Sequence, residues 1–316
     1  YSQEYDEVSG IITEIGSDGS EVLYQGKEII VEFNLGFFNW NASFVEQELQ
    51  EWGESLGLIY SGHLADLRIG YFDYQGDYLE LEKIKQELEK SQEIEKVSWN
   101  ILSKTEDQAV DIGYEWKRMW YLEEGPRIKQ AWDYIDGLGR PLEKVVVAVI
   151  DSGVDYTHPD LEGIMWDGTS CKDYRGKSLG DCRHGYDFYG DDTDPMPESG
   201  TLGEDHGTNV AGVIAMTHDN NEGGFGIAPN VKIMALKVTG ADVDGGTTLD
   251  GKQIQKAIAF ATVNGADIIN ISAGDAVTST CNTKFRPFYD ILRKFYAYYP
   301  GLIVVSAGNT NTKLSK

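Results

Sequence analysis

Apolar positions change rhythm near the middle of the chain. In the first hundred residues they fall in short alternating runs. EIIVEFN (28–34) reads as a strand from its alternation and β-branched content. LIYSG and HLADLRIGYF (58–72) follow as strands, and IEKVSWNIL (94–102) closes the set. Between them, ASFVEQELQEWGESLG (42–57) carries Phe44, Leu49 and Trp52 on one helical face, with Asn41 as cap and Gly57 as stop. DYLELEKIKQELEKSQ (77–92) is a charged amphipathic helix with Leu79, Leu81, Ile84 and Leu88 near helical spacing. The predicted order is β-α-β-β-α-β.

Beyond residue 144 the apolar runs are continuous. VVVAVI (145–150), VKIMALKV (231–238), ADIINISA (266–273) and LIVVSA (302–307) have the character of strands buried on both faces. Helices are expected between them at 206–216, 251–264 and roughly 286–298. In the second of these, Ile254, Ala257, Ile258 and Ala261 recur at i, i+3, i+4 and i+7, and Gly265 ends it. Strands alternating with helices predict a doubly wound, mostly parallel α/β sheet. The first half has instead the split pattern of a small ferredoxin-like α+β domain. A connector over 105–144, with a short helical stretch at 126–135, separates the two, and the expected domains are 1–110 and 111–316.

Composition narrows the function. The 316 residues carry 52 acidic and 27 basic side chains, a formal net charge of −25, with 41% hydrophobic residues. That is too apolar for a disordered chain, and no 18-residue apolar run occurs. The acidity excludes sequence-independent nucleic-acid binding, which needs cations to displace phosphate counterions. It is concentrated in residues 1–110, which hold 23 acidic and 7 basic groups. The opening YSQEYDEVSG lacks the basic start and apolar stretch of a secretory leader. Cys171 and Cys182 flank a polar, Gly-rich loop that suits a short disulfide in a secreted protein; three reduced thiols, Cys281 included, are the alternative.

Chemistry is expected beyond the carboxyl ends of the strands. Asp151 follows VVVAVI directly, where a carboxylate is partly desolvated and needs a partner. His206 opens HGTNVAGVIA, in which Gly207, Ala211 and Ala215 line one helix face. At a helix N-terminus the dipole disfavours imidazolium, which leaves a neutral imidazole able to act as a base. Taken singly, each residue also reads as a turn or helix cap.

Together the motifs are more specific. VVVAVIDSGVDYTHPDL, EDHGTNVAGVIA, GIAPNVKIMALKV, INISAG and VVSAGN stand in the order and approximate spacing of the subtilisin-like serine proteases. Residues 111–316 resemble the first two-thirds of that catalytic domain, and the first half resembles its propeptide, an intramolecular inhibitor and folding chaperone. The resemblance implies a secreted endopeptidase zymogen acting on proteins or peptides. Asp151 would orient His206, His206 would move the proton of a serine, and Asn309 would aim its amide at the oxyanion. Ser272, Ala273 and Gly274 would form one edge for an extended peptide, and Asp244, Gly245 and Gly246 the other. Asp160 and Asn220, with the loop 218–226, match a calcium site of oxygen ligands.

Three departures stand out. Asn209 occupies the usual place of a second histidine, and the long Asp151–His206 interval contains the cysteine loop as an insertion. The family's nucleophile segment lies beyond Lys316, and Gly168-Thr169-Ser170 precedes His206 and cannot replace it. The serine is therefore expected outside this chain, on a separate C-terminal chain or further segment. Residues 1–316 alone are expected to be inactive, with propeptide cleavage somewhere in 103–115. The rival readings are a non-catalytic pseudoprotease using the same groove, which intact Asp151, His206 and Asn309 argue against, and a nucleotide-binding enzyme, for which IDSGVD lacks the Gly-rich fingerprint.

Overall fold

The computed structural model describes residues 2–6, 11–15, 21–40, 43–104, 127–140, 142–199, 203–218, 220, 224–241, 247–272, 293, 299 and 301–306. Its first half contains β1 (Ser2–Asp6), β2 (Ile11–Ile15), β3 (Glu21–Phe33), α1 (Val45–Ser55), β4 (Ile59–Leu64), β5 (Ile69–Asp73), α2 (Tyr78–Leu88) and β6 (Ile94–Lys104). From β3 onward this is the expected β-α-β-β-α-β order, with β4 paired to β5, β5 to β3 and β3 to β6, all antiparallel. Val31, Phe33, Leu49, Leu58, Phe72 and Leu81 form the core between that sheet and the two helices. Asp77 caps α2 by accepting the Leu79 amide at 2.7 Å.

Three local expectations change. Leu79 is exposed and Tyr78 is buried in its place, because the cap at Asp77 fixes where the first turn faces. Phe44 is half exposed and stands just before α1, not within it. The break between β4 and β5 falls at Ala65–Leu67, a single tight turn ended by Arg68 at φ 57°, and not at Gly62. Gly57, at φ 74°, stops α1 as expected.

The second half contains α3 (Ile128–Gly137), β7 (Val145–Asp151), β8 (Cys171–Lys172), β9 (Ser178–Gly180), β10 (Gly185–Asp187), α4 (His206–Ala215), β11 (Val231–Lys237), β12 (Thr239–Ala241), β13 (Thr247–Asp250), α5 (Gly251–Val263), β14 (Ile268–Ile271) and β15 (Leu302–Val305). Strands order as β10-β11-β7-β14-β15, every pairing parallel. Because successive side chains alternate, Val147, Val149, Ile233 and Ala235 face α4, while Ala148, Ile150, Met234 and Leu236 face α5. Helices on both faces make the sheet doubly wound.

The two halves share structure. Asp250 of β13 pairs with Leu102 of β6, so the first sheet runs on into the β12–β13 hairpin of the second half. Ile30, Ile69 and Tyr71 of the first half pack in one cluster with Ile254, Ala257 and Ile258 of α5. Asp250 also caps α5, accepting the amides of Lys252 and Gln253. Cys171 and Cys182 form a disulfide with Cα atoms 6.0 Å apart, both cysteines buried. Phe44, not Asn41, is the N-cap of α1, and it makes no side-chain capping bond. Cys281, the boundary near 110 and, apart from Arg293, the helix expected at 286–298 lie outside the described residues. No described helix is long and apolar enough to cross a membrane.

Candidate active site

Parallel pairing brings the carboxyl ends of β7, β11 and β14 together, and Asp151 is the last residue of β7. Its carboxylate is 2% exposed. Oδ1 accepts the Ser152 amide at 2.7 Å and faces His206 Nδ1 at 2.8 Å, while Oδ2 has no hydrogen-bond partner among the described residues. An ionised carboxylate can only accept, so Nδ1 carries the proton and Nε2 is the basic nitrogen of the neutral ring. His206 is the first residue of α4, its amide bonded to the Gly203 carbonyl.

The pair is held by rungs between the 151–157 turn and the first turn of α4. Ser152, buried at the strand end, donates through Oγ to the Glu204 carbonyl and accepts the Gly207 amide, each at 3.1 Å. This satisfies one of the helix's unpaired N–H groups and ties it to β7. The Asp155 amide donates to Thr208 Oγ1 at 2.9 Å. Close approach completes the fit: a Cβ on Gly207 would lie 2.2 Å from the Gly153 carbonyl oxygen, and one on Gly153 2.6 Å from that of Pro195. The glycines of DSG and HGT are thus steric requirements of the Asp–His contact.

Lys237 stands beside Asp151 in the β11–β7 register and, by strand alternation, on the same side of the sheet. It is 3% exposed and pairs with Asp187 at 2.9 Å and Glu198 at 3.4 Å. Burial lowers its pKa, but those two carboxylates outweigh that and raise it, so it is a permanent cation next to the site. Sequence reasoning missed both Ser152 and Lys237. Ser152 was legible as a polar residue directly after a buried strand, whereas Lys237 is the second lysine of a strand that otherwise reads as apolar.

Asp160 and Asn220 also meet. Asp160 is fully buried; its Oδ1 accepts Asn220 Nδ2 at 2.7 Å, its Oδ2 accepts the Gly224 amide at 2.9 Å, and no cationic side chain pairs with it among the described residues. Ser272 lies just past β14, accepting Asn270 Nδ2 at 2.8 Å. Asn309, Ala273, Gly274, Asp244, Gly245 and Gly246 fall outside the described residues.

Residues 143–316 match the family model described as the Subtilase family, more than half of the chain. The chain belongs to the subtilase family. It is 36% identical over 182 residues to the thermophilic serine proteinase of Bacillus sp. (strain AK1), covering 57% of this chain and 36% of that protein. It is 40% identical over 132 residues to the halolysin-like extracellular serine protease Nep of Natrialba magadii, covering 42% of this chain and 21% of that one. The crystal structure of fervidolysin from Fervidobacterium pennivorans, a keratinolytic enzyme related to subtilisin, superposes with a TM-score of 0.57 at 21% identity, over 94% of this chain and 41% of that one. That likeness is one of fold, and it extends over both halves of this subtilase. The chain spans well under two-thirds of the length of these relatives.

Proposed function

We propose that this subtilase is part of a secreted serine endopeptidase zymogen that hydrolyses peptide bonds through an Asp-His-Ser triad. Asp151 and His206 are two of its members and the serine lies outside residues 1–316. The observation that carries the reading is the buried Asp151–His206 hydrogen bond at 2.8 Å, which fixes the tautomer with Nε2 basic. Such a ring takes the proton of a serine hydroxyl as it attacks the carbonyl and returns it to the leaving amine, while Asp151 stabilises the transient cation. Asn309 is assigned to the oxyanion, and Ser272–Gly274 with Asp244–Gly246 to the two edges of an extended substrate. Residues 1–110 are assigned as the propeptide, released by cleavage within 103–115. The disulfide and the likeness to an extracellular relative support secretion.

In the full-length protease, Asp151→Asn leaves geometry intact but favours the wrong tautomer. A fall in kcat on the order of 10⁴-fold is expected, with KM little changed. Equal turnover of Asp151→Asn and wild type on a peptide substrate would remove the triad. Amino-terminal sequencing of active enzyme tests the propeptide; a start near Tyr1 refutes it.

Calcium belongs to the same proposal. A fully buried carboxylate with no cationic partner among the described residues suits a bound cation, and a carboxylate beside an amide and loop carbonyls is hard-oxygen chemistry. Asp160 and, with its amide turned end for end, Asn220 would hold the ion. When bound, it would neutralise Asp160 and tie the 158–161 turn to the loop that follows α4. Calorimetric titration with calcium should give heat that Asp160→Asn abolishes; identical titrations of the two proteins rule the site out.

A further inference from the structure

The cysteine loop has no part in the triad, yet it reaches the first half of the molecule. Its base belongs to the second half: Lys172 donates its amide to Asn264 Oδ1 at 2.9 Å, and Asn264 Nδ2 donates to the Lys172 carbonyl at 2.8 Å. Its tip is rigid, because Asp173 Oδ1 accepts the amides of Arg175 and Lys177 at 2.9 and 2.8 Å, with Gly176 turning at φ 84°. The tip presents Tyr174 and Arg175 to the first half. Arg175 Nη1 pairs with Glu46 of α1 at 3.2 Å. The Tyr174 hydroxyl occupies the place of a side chain at Gly62, 2.5 Å from where a Cβ would stand, at the irregular step of the β4–β5 ladder. Lys256 of α5 lies between the rings of Tyr71 and Tyr174, at 5.5 and 5.4 Å. The loop CKDYRGKSLGDC carries three basic groups in a molecule of net charge −25, and it meets the half in which the acidity is concentrated.

We propose that the loop closed by Cys171–Cys182 is a recognition site for the N-terminal domain, separate from the shared sheet. It selects a domain with glycine at the β4 irregularity and an acidic first turn in α1, and it retains that domain after the connector is cut. Retention rests on the reading of residues 1–110 as a separable propeptide; recognition does not.

The test introduces a specific protease site within the connector, cuts the full chain and follows release of the N-terminal piece by native mass spectrometry on dilution. Tyr174→Ala should speed release about tenfold or more relative to the uncoupled wild type. Gly62→Ala should also speed it, by forcing the Tyr174 hydroxyl aside, and Tyr174→Phe should largely cancel that effect in the double variant. The strain of alanine at φ 149° is common to both backgrounds, so rescue isolates the contact. Unchanged release in Tyr174→Ala, or no rescue of Gly62→Ala by Tyr174→Phe, overturns the proposal. Hydrogen exchange in the uncut chain gives an independent reading: Tyr174→Ala should raise exchange in β4 relative to β11, and an unchanged ratio overturns it equally. If release follows Tyr174 while the bound piece does not inhibit the full-length protease, the recognition site stands and the inhibitor reading falls.

Discussion

Gly207→Ala in α4 is expected to destabilise the protein, against the ordinary preference of helices. Alanine gains up to about 1 kcal/mol over glycine in a helix interior. Here the added Cβ would lie 2.2 Å from the Gly153 carbonyl oxygen and 3.1 Å from Asp151 Oδ1. Carbon–oxygen contacts close at about 3.3 Å, so roughly 1 Å of separation must open between the helix and the turn. Neither side is a flexible side-chain end, and overpacking of that kind costs about 1–3 kcal/mol. With the full helix gain subtracted, a net loss of up to about 2 kcal/mol remains. The same movement carries His206 away from Asp151, stretching a 2.8 Å hydrogen bond beyond its working range. Proton NMR should therefore show loss of the low-field His206 Nδ1–H resonance, and in the full-length protease kcat/KM should fall on the order of 100-fold. Gly212→Ala supplies the contrast on the same helix. Its Cβ would meet only the Met216 side chain, at 3.3 Å or more, which can give way. It should be neutral or stabilising by up to about 1 kcal/mol. If Gly207→Ala melts at or above the wild-type temperature with the His206 resonance intact, the steric account of the Asp–His contact is wrong.

Other outcomes follow from the junction of the halves. Lys252 is buried and bonded to Glu28 at 2.7 Å and Asp73 at 3.3 Å; Glu28, Asp250 and Asp73 overcome the burial that would lower its pKa and raise it. Lys252→Met should cost about 3 kcal/mol in denaturant unfolding at pH 7. Burial already raises the Glu28 pKa, so this loss should shrink as pH falls and Glu28 takes up a proton; a constant loss would contradict the ion-pair account. Burial, with Lys252 adding repulsion, lowers the Lys256 pKa to about 8. Its folded pKa lies below the unfolded value near 10.4, so charging it opposes folding in full below pH 8, and that cost fades as pH rises toward 10.4. Lys256→Met should stabilise the chain by about 1–3 kcal/mol at pH 7, with the gain gone by about pH 10.5; a Tm difference independent of pH would refute it. Asn100→Ala removes a fully buried amide that bonds Glu28 at 2.9 Å, Asp250 at 2.7 Å and the Lys252 amide at 2.8 Å, and should cost about 2–3 kcal/mol in the same unfolding assay.

Much of this architecture was legible because one physical signal dominated each element. VVVAVI has no polar face, so it had to be a central strand, and alternation then dealt Val147 and Val149 to α4 and Ala148 and Ile150 to α5. The α5 stripe of Ile254, Ala257, Ile258 and Ala261 is buried throughout for the same reason. Where two signals competed, the sequence misled. Tyr78 and Leu79 can both begin an apolar stripe, and the cap at Asp77 decides between them. In the site, Asp151 and His206 were visible because the motifs around them stand together in one order and spacing, although each alone also reads as a cap. Ser152 and Lys237 were not, since their roles depend on register across elements distant in sequence.

The same dependence on register explains how a long interval between Asp151 and His206 leaves their contact undisturbed. Asp151 and His206 are 55 residues apart, but their separation in space is set by β7, α4 and the Asp151–His206, Ser152–Gly207 and Asp155–Thr208 rungs, none of which involves the intervening cysteine loop. The loop leaves that frame after Asp160, whose buried carboxylate and carbonyl bind the segment following α4, and it returns along β10 at the far edge of the sheet. Chain inserted there adds no strain to the pair, because both anchor points are fixed independently. Such a segment can diverge in length and chemistry while the site stays constant. In this chain that segment is a disulfide-closed arm whose tip rests on β4 and α1, so a change that leaves the Asp151–His206 contact intact can alter how the N-terminal half is held.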